Sequence, residues 1–165
     1  MFAYLCGSIE YAPDQGKAWR RKIAPWLEQT LLHRVYDPAS DERKTLSEEE
    51  AANFRQWKTT DLERFRRAVR KIINYDLDVL QNHADYVICY WDEFTGRGGG
   101  TQAEITAAYR KGIPIYLVTE LSHSELSGWV LACADHILSN FDELKAFLTQ
   151  RYGHGPRQAA LWGKL

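Results

Sequence analysis

Two acidic side chains, Asp76 and Glu104, are the best candidates for chemistry in this sequence, because proteins use carboxylates as nucleophiles and as acids or bases. Asp76 falls in a stretch with helical apolar periodicity. Its neighbours on the helix surface are all apolar: Val69, Ile72, Ile73 and Leu80. A buried carboxylate without partners is costly, so Asp76 is predicted to be paired, to be hydrogen-bonded or to line a cleft. Alternatively, the helix ends before Asp76 and the residue is only a structural cap or pairing partner. Periodicity leaves both interpretations open.

Glu104 lies one helical turn after a glycine-rich loop, residues 96–100. Residues 101–104 (TQAE) fit a capping box, in which a glutamate at the third helical position bonds back to the helix cap. The local pattern by itself favours this structural role. In the functional interpretation, the loop and the helix N-terminus hold the carboxylate at the carboxyl edge of a sheet. Small residues around it then leave room for a substrate: Ala103, Ala107 and Ala108.

Alternating strand and helix patterns surround these two residues. Apolar runs predict five strands, over residues 2–7, 34–38, 85–91, 114–119 and 136–138. Apolar periodicity predicts helices from residue 17 onward, over 48–80 with a break near 59–60, and over 101–111, 125–130 and 141–151. Residues 39–47 are predicted to form a loop. We place one domain at residues 1–150 and a C-terminal tail at residues 151–165.

This alternation predicts an α/β fold, a flavodoxin-like, doubly wound sheet of about five parallel strands with helices on both faces. Ligands of such sheets bind beyond the carboxyl ends of the strands, at the point where the strand order reverses. The loops after Gly7, Pro38 and Trp91 are therefore expected to surround one crevice.

Two groups of residues are candidates for binding a phosphate at this crevice. Residues 98–101 (GGGT) could cradle one, but they lack the GKS or GKT ending of a P-loop, so a flexible loop is the favoured interpretation. Three basic residues, Lys17, Arg20 and Arg21, could meet a phosphate as well, although such residues more often form a solvated face.

Composition limits the classes of function. The chain has 165 residues, of which 45% are hydrophobic and 26% charged, and its net charge of −1 gives no electrostatic footprint for nucleic acid. No apolar run reaches the length of a signal peptide or a membrane span, so no membrane partner is expected. Cys6, Cys89 and Cys133 are odd in number and widely spaced. We predict buried free thiols in a reducing compartment, the cytoplasm, and no zinc site, since no CxxC or HxxxH spacing occurs.

Five motifs follow one another along the chain: residues 4–9 (YLCGSI), 74–80 (NYDLDVL), 84–88 (ADYVI), 100–108 (GTQAEITAA) and 112–117 (GIPIYL). In this order and spacing they resemble the nucleoside 2-deoxyribosyltransferase family and its nucleotide N-glycosidase relatives. The resemblance covers residues 2–150, and the motif over residues 100–108 is its strongest part. A later stretch, residues 129–148, also fits this family.

The resemblance implies that Glu104 is the nucleophile and that Asp76 lines the same site. Glu104 would attack the anomeric carbon of a nucleoside, the base would leave, and a second base or water would take the sugar from the glycosyl-enzyme with net retention. Asp76, or an acid of the Asp92-Glu93 pair, would protonate or orient the leaving base. The residues expected to bind substrate are Gly7, Ser8, Asp92, Glu93, Gly100 and Thr101. This chemistry requires no metal and no organic cofactor.

Three functions remain open. The first is a nucleoside 2-deoxyribosyltransferase, whose partners are a small-molecule nucleoside or nucleotide and a free nucleobase. The second is a hydrolase of nucleoside 5′-monophosphates, to which the Ser8 loop looks closer. The third is a non-catalytic nucleotide-binding or sensing module. The resemblance also implies a homo-oligomer, in which a neighbouring subunit completes the site with its later segment, the region comparable to Asp135 and His136.

Overall fold

The computed structural model describes residues 1–41 and 45–153. Its strands are β1 (Phe2–Gly7), β2 (Arg34–Tyr36), β3 (Tyr86–Tyr90), β4 (Ile115–Val118) and β5 (His136–Leu138). Its α-helices are α1 (Lys17–Thr30), α2 (Glu48–Thr60), α3 (Leu62–His83), α4 (Gly100–Lys111), α5 (Gly128–Cys133) and α6 (Phe141–Tyr152). Parts of the predicted loop over 39–47 and of the predicted tail, namely residues 42–44 and 154–165, lie outside the described residues.

The five strands form one parallel sheet in the order β2-β1-β3-β4-β5. The predicted flavodoxin-like, doubly wound α/β fold is therefore confirmed. Strand order reverses between β1 and β3, and the carboxyl ends of these two strands open toward the expected crevice. The register places Tyr4 beside Tyr36 and Cys6 beside Cys89.

Side chains alternate along each strand, which divides the core into one layer on each face of the sheet. The layer under α3, α4 and α5 includes Tyr4, Cys6, Leu80, Val87, Cys89, Ile105 and Val130. The layer under α1 and α6 includes Ala3, Leu5, Ile23, Leu27, Tyr86, Ile88 and Leu144. Helix α2 packs on α3 and contributes no buried residue. No helix within the described residues is both long and apolar enough to cross a membrane.

The structure corrects two predicted helix boundaries. Helix α3 runs to His83, so the interpretation in which the helix ends before Asp76 is wrong. The short helix predicted over residues 125–130 lies at Gly128–Cys133, because Ser127 caps it by accepting a hydrogen bond from the backbone N–H of Val130 at 3.3 Å. The predicted break between α2 and α3 is confirmed, and Asp61 caps α3 there.

The last helix also extends the packed core beyond residue 150, the predicted end of the domain. Tyr152 belongs to α6, and its ring stacks on Tyr86 with the centroids 5.3 Å apart. Its hydroxyl lies 2.5 Å from that of Tyr116. The prediction of buried free thiols is confirmed, since Cys6, Cys89 and Cys133 are all buried and unbridged.

Arg20 holds together the loops at the carboxyl edge of the sheet. It is only 1% exposed, and it donates from Nη1 to the carbonyl of Gly16 at 2.9 Å and from Nη2 to that of Gly7 at 3.0 Å. A longer contact of 3.4 Å reaches the carbonyl of Ser8, and Nε lies 3.1 Å from Oδ1 of Asp37. Both predicted alternatives for Arg20, a phosphate contact and a solvated residue, are therefore wrong.

Two glycines are required by this arrangement. A Cβ atom at Gly7 would come within 2.9 Å of the carbonyl oxygen of Tyr90. Gly16 has a φ of 67°, in the left-handed region, and a Cβ atom there would overlap both the Arg20 guanidinium and the Ser8 carbonyl. The close approach of backbone to guanidinium thus leaves no room for a side chain.

We expect Arg20→Met to lower the free energy of unfolding by about 3 kcal/mol, the lower end of the range for breaking a buried ion pair, because Asp37 is partly exposed. Urea denaturation followed by circular dichroism measures this change. Arg21→Met is the matched control: it is the next residue of α1, it is exposed, and we expect a change within about 0.5 kcal/mol. Equal changes in the two variants would contradict the role given to Arg20.

Candidate active site

A cavity of about 410 Å³ lies at the carboxyl edge of the sheet, where the loops after β1, β2 and β3 meet α3 and the start of α4. Its walls include six of the predicted site residues: Gly7, Ser8, Asp76, Gly100, Thr101 and Glu104. Parts of the apolar stripe of α3 also line it, and Ile73 is 48% exposed. The stripe thus continues from the core into the cavity wall, which explains why an acidic residue sits within it.

Glu104 is held by two residues of β1. Its Oε1 accepts a hydrogen bond of 2.7 Å from the Tyr4 hydroxyl, and its Oε2 accepts one of 3.0 Å from the Cys6 thiol. Tyr4 and Cys6 are two positions apart on the strand, so both side chains leave the same face of the sheet, toward α4. One donor on each oxygen fixes the plane of the carboxylate.

The capping-box interpretation of Glu104 is wrong. Helix α4 starts at Gly100, its N-cap is Gly99, and no side chain caps it. Thr101 therefore lies inside the first turn rather than at the cap, and the Glu104 carboxylate bonds to strand β1 instead of to the helix start. Tertiary contacts have replaced the local one.

Glu104 is partly buried, and the loss of water around its carboxyl group affects its protonation. Desolvation raises the pKa of Glu104, and the negative charge of Asp76 raises it further. The hydrogen bonds from Cys6 and Tyr4 and the charge of Arg20 act in the opposite direction, but the net pKa stays above its usual value. Burial also raises the pKa values of Tyr4 and Cys6, so both remain protonated donors at neutral pH.

Asp76 is buried and is hydrogen-bonded to β2, the strand next to β1. Its Oδ1 accepts a hydrogen bond of 2.7 Å from the Tyr36 hydroxyl. Tyr36 is the register partner of Tyr4, and the two ring centroids are 5.2 Å apart. Two adjacent tyrosines thus each donate to one carboxylate, which brings the acids of α3 and α4 to the same cavity. Hydrogen bonding and cleft lining, both predicted for Asp76, occur together.

A second compartment opens on the far side of Asp76, beneath α2. This cavity of about 370 Å³ shares five lining residues with the first one: Ile9, Glu10, Pro38, Ile72 and Asp76. Its apolar wall is formed by Phe54, Phe65 and Val69. Lys58 of α2 forms an ion pair with Glu10, which joins the helix to the loop after β1. Asp76 therefore stands at the junction of the two cavities.

The loop after β3 lines the cavity with a different residue from those predicted. Asp92 and Glu93 are not among the residues that line either cavity. The Asp92 carboxylate accepts hydrogen bonds from the backbone of Phe94 and from the backbone and hydroxyl of Thr95, at 2.7–3.0 Å, and Glu93 is exposed. Asp92 is used to shape the loop, and Thr95 lines the cavity instead.

Other predicted residues lie outside the cavity. Arg21 is exposed, and Lys17 donates to the side chain of Gln15 at 2.6 Å. Asp135 accepts a hydrogen bond of 2.8 Å from the backbone N–H of Ile115, and the His136 ring packs on Phe147 at 4.5 Å. Both have structural contacts within this chain, and their predicted contribution to a neighbouring subunit stays a prediction.

Sequence reasoning missed Tyr4, Cys6 and Tyr36 as parts of the site. A signal existed: each is a polar or polarisable residue within a predicted strand, and Tyr4 and Cys6 share one face by their spacing. The strand pairing of Tyr4 with Tyr36 and the helix positions of the two acids are needed to connect them.

Comparisons with known proteins identify no family for this chain. No protein-family model matches the chain, and no curated protein sequence matches it. Within the described residues, no group of three or more histidine, cysteine, aspartate or glutamate side chains could hold a metal ion.

We expect the variant Glu104→Gln to gain stability relative to the wild type as the pH rises. The folded protein holds the Glu104 proton more tightly than the unfolded chain, where the pKa is about 4.3. The wild type therefore loses stability as the pH rises from that value through the folded-state pKa, and the variant lacks this loss. Thermal unfolding of both proteins at pH 4 to 8 measures the difference, at about 2–4 °C in Tm for each kcal/mol.

The control for this measurement is Glu93→Gln, which makes the same change at an exposed position. Its stability relative to the wild type should depend much less on pH. A pH-independent difference for Glu104→Gln would show that burial does not set the ionisation of this carboxyl group.

Proposed function

We propose that this protein cleaves the N-glycosidic bond of a nucleoside or nucleotide, with Glu104 as nucleophile, and transfers the sugar to another base as a nucleoside 2-deoxyribosyltransferase. One observation carries the proposal: Glu104 is held on both oxygens by strand donors at the wall of a cavity that also contains Asp76. The five motifs that resemble this family converge on the same cavity in part, through residues 4–9, 74–80 and 100–108.

In the first step, an electron pair of the Glu104 carboxylate forms a bond to the anomeric carbon of the sugar. The C–N bond breaks, and its electron pair leaves with the base through an oxocarbenium-like transition state. Asp76 protonates or hydrogen-bonds the departing base, whose negative charge would otherwise build up in a partly apolar cavity. The product is a glycosyl ester of Glu104 and a free base.

In the second step, a nitrogen of another base attacks the same carbon and expels the Glu104 carboxylate, while the proton of that nitrogen passes to Asp76 and restores the acid. Two displacements give net retention at the anomeric carbon. The hydrogen bonds from Tyr4 and Cys6 stabilise the carboxylate as its negative charge returns, so the same two donors assist the leaving group of this step.

A second candidate, hydrolysis of nucleoside 5′-monophosphates, is favoured by a different observation. Ser8 and Thr101 both line the cavity although they are no more than 9% exposed. They lie beside the N-terminus of α4, where backbone N–H groups attract anions. A 5′-phosphate is a ligand that this pair of hydroxyls and the helix start could bind. Water would then replace the second base as the acceptor.

The test is to incubate deoxyadenosine, deoxycytidine or deoxyuridine with a second free base, with the nucleoside monophosphates alongside, and to separate the products by chromatography. We expect the wild type to form a new nucleoside. Glu104→Ala should lower the rate of nucleoside formation by several orders of magnitude, because no covalent intermediate can form. Asp76→Asn should reduce the rate by about 10²–10⁴-fold, as for loss of an acid–base group.

Asp78→Asn is the control for Asp76, since it changes an exposed aspartate of the same helix and should leave the rate near that of the wild type. Release of free base from the monophosphates alone, without exchange, would replace the transferase with the hydrolase. Ligand binding without any turnover, unchanged in Glu104→Ala, would leave a nucleotide-binding or sensing module. Assembly into a homo-oligomer and a cytoplasmic location stay predictions.

A further inference from the structure

Cys6 is a buried core residue whose thiol contacts the Glu104 carboxylate, which is an unusual partner for a core cysteine. It is 1% exposed, and its Sγ lies 3.0 Å from Oε2 of Glu104 and 3.8 Å from the backbone carbonyl of Thr101. Its register partner across the sheet is Cys89. A cysteine at this depth is usually a small apolar core residue, and such a residue needs no polar partner.

The thiol has a single proton, and its possible acceptors are the Glu104 carboxylate, the Thr101 carbonyl and the Cys89 sulfur. The Glu104 carboxylate is the closest of the oxygens, and when ionised it is the strongest acceptor of the set. Burial raises the pKa of Cys6 well above its usual value, so the sulfur keeps its proton at neutral pH. Cys6 therefore acts here as a donor, and not as a thiolate nucleophile.

We propose that Cys6 is a positioning residue for the reaction proposed above: its thiol holds Oε2 of Glu104 while the Tyr4 hydroxyl holds Oε1, and together they favour the ionised carboxylate and fix its orientation at the cavity wall. A role for Cys6 in turnover rests on the function proposed above. The hydrogen bond and its effect on ionisation belong to the free protein.

Several charged or titratable groups face Glu104 from the elements packed around it. They are Tyr4 and Cys6 of β1, Asp76 of α3 and Arg20 of α1. Asp76 raises the pKa of Glu104, and Arg20 lowers it. Both stay in place when Cys6 is replaced. A change in the titration of Glu104 in a Cys6 variant therefore reports the lost thiol donor.

The direction of that change follows from the chemistry. A donor to the ionised carboxylate favours the ionised form, so its removal raises the pKa of Glu104 still further. Cys6→Ala removes the donor, whereas Cys6→Ser replaces it with another and changes the volume little. A residue that only fills space would give two variants with the same titration.

The first experiment measures Glu104 directly in the free protein, by infrared difference spectroscopy of the carboxyl band against a Glu104→Gln variant of each background, as a function of pH. We expect the midpoint in Cys6→Ala to move upward by about one pH unit, and Cys6→Ser to return it toward the wild-type midpoint. Cys133→Ala, which removes another buried thiol in α5, should leave the midpoint unchanged.

Unchanged midpoints in Cys6→Ala, or equal shifts in Cys6→Ala and Cys6→Ser, would overturn the proposal. If Cys6→Ala does not fold, Cys6→Val decides, because it fills the space without a hydrogen-bond donor: its midpoint should lie above that of Cys6→Ser. Equal midpoints in Cys6→Val and Cys6→Ser would count against the proposal.

The second experiment uses turnover, and it separates the two proposals. If N-glycosidic cleavage is found, the acidic limb of its kcat/KM profile should move upward in Cys6→Ala by the same amount as the carboxyl midpoint, with recovery in Cys6→Ser. A limb that stays in place would overturn the role of Cys6 in the reaction. A midpoint shift in a protein without turnover would instead reject the proposed function and retain Cys6 as the donor to Glu104.

Discussion

The buried guanidinium of Arg20 is the interaction on which the carboxyl edge of this sheet depends. It satisfies backbone carbonyls of the loop after β1 and pairs with Asp37 after β2, so one side chain positions two walls of the cavity. The charge is tolerable at this depth because Nη1 and Nη2 donate to backbone carbonyls and because Nε, which makes no hydrogen bond, lies beside the Asp37 carboxylate. Gly7 and Gly16 let the backbone approach closely. The same charge lowers the pKa of Glu104 across the end of β1.

Two carboxylates are then brought together by a pair of adjacent tyrosines. Tyr4 and Tyr36 pair in register, and each donates to one acid, so the geometry of the site is a consequence of strand pairing. Desolvation raises the pKa of Glu104 by more than the hydrogen-bond donors lower it, so the net pKa stays above its usual value. A site that holds an acid in this way is expected to reduce the stability of the fold, a cost that enzymes commonly carry at functional positions.

Local sequence predicted Asp76 and Glu104 with different success. For Asp76, helical periodicity left a structural cap and a cleft residue as alternatives, and the length of α3, which runs to His83, decided between them. For Glu104, the capping-box pattern was misleading, because the glycines before it let α4 begin at Gly100 and left the carboxylate to bond with β1. Asp92, an acid expected at the substrate, accepts hydrogen bonds within its own loop.

The amino-acid sequence by itself determined the order of strands and helices, the parallel sheet and the edge at which the cavity lies, because apolar periodicity and chain connectivity are local properties that restrict the topology. Only the tertiary structure decided the partners of the acids, the burial of Arg20 and the contact of Cys6 with Glu104. These depend on strand register and on contacts between residues about a hundred positions apart, such as Tyr4 with Glu104, which no local pattern encodes.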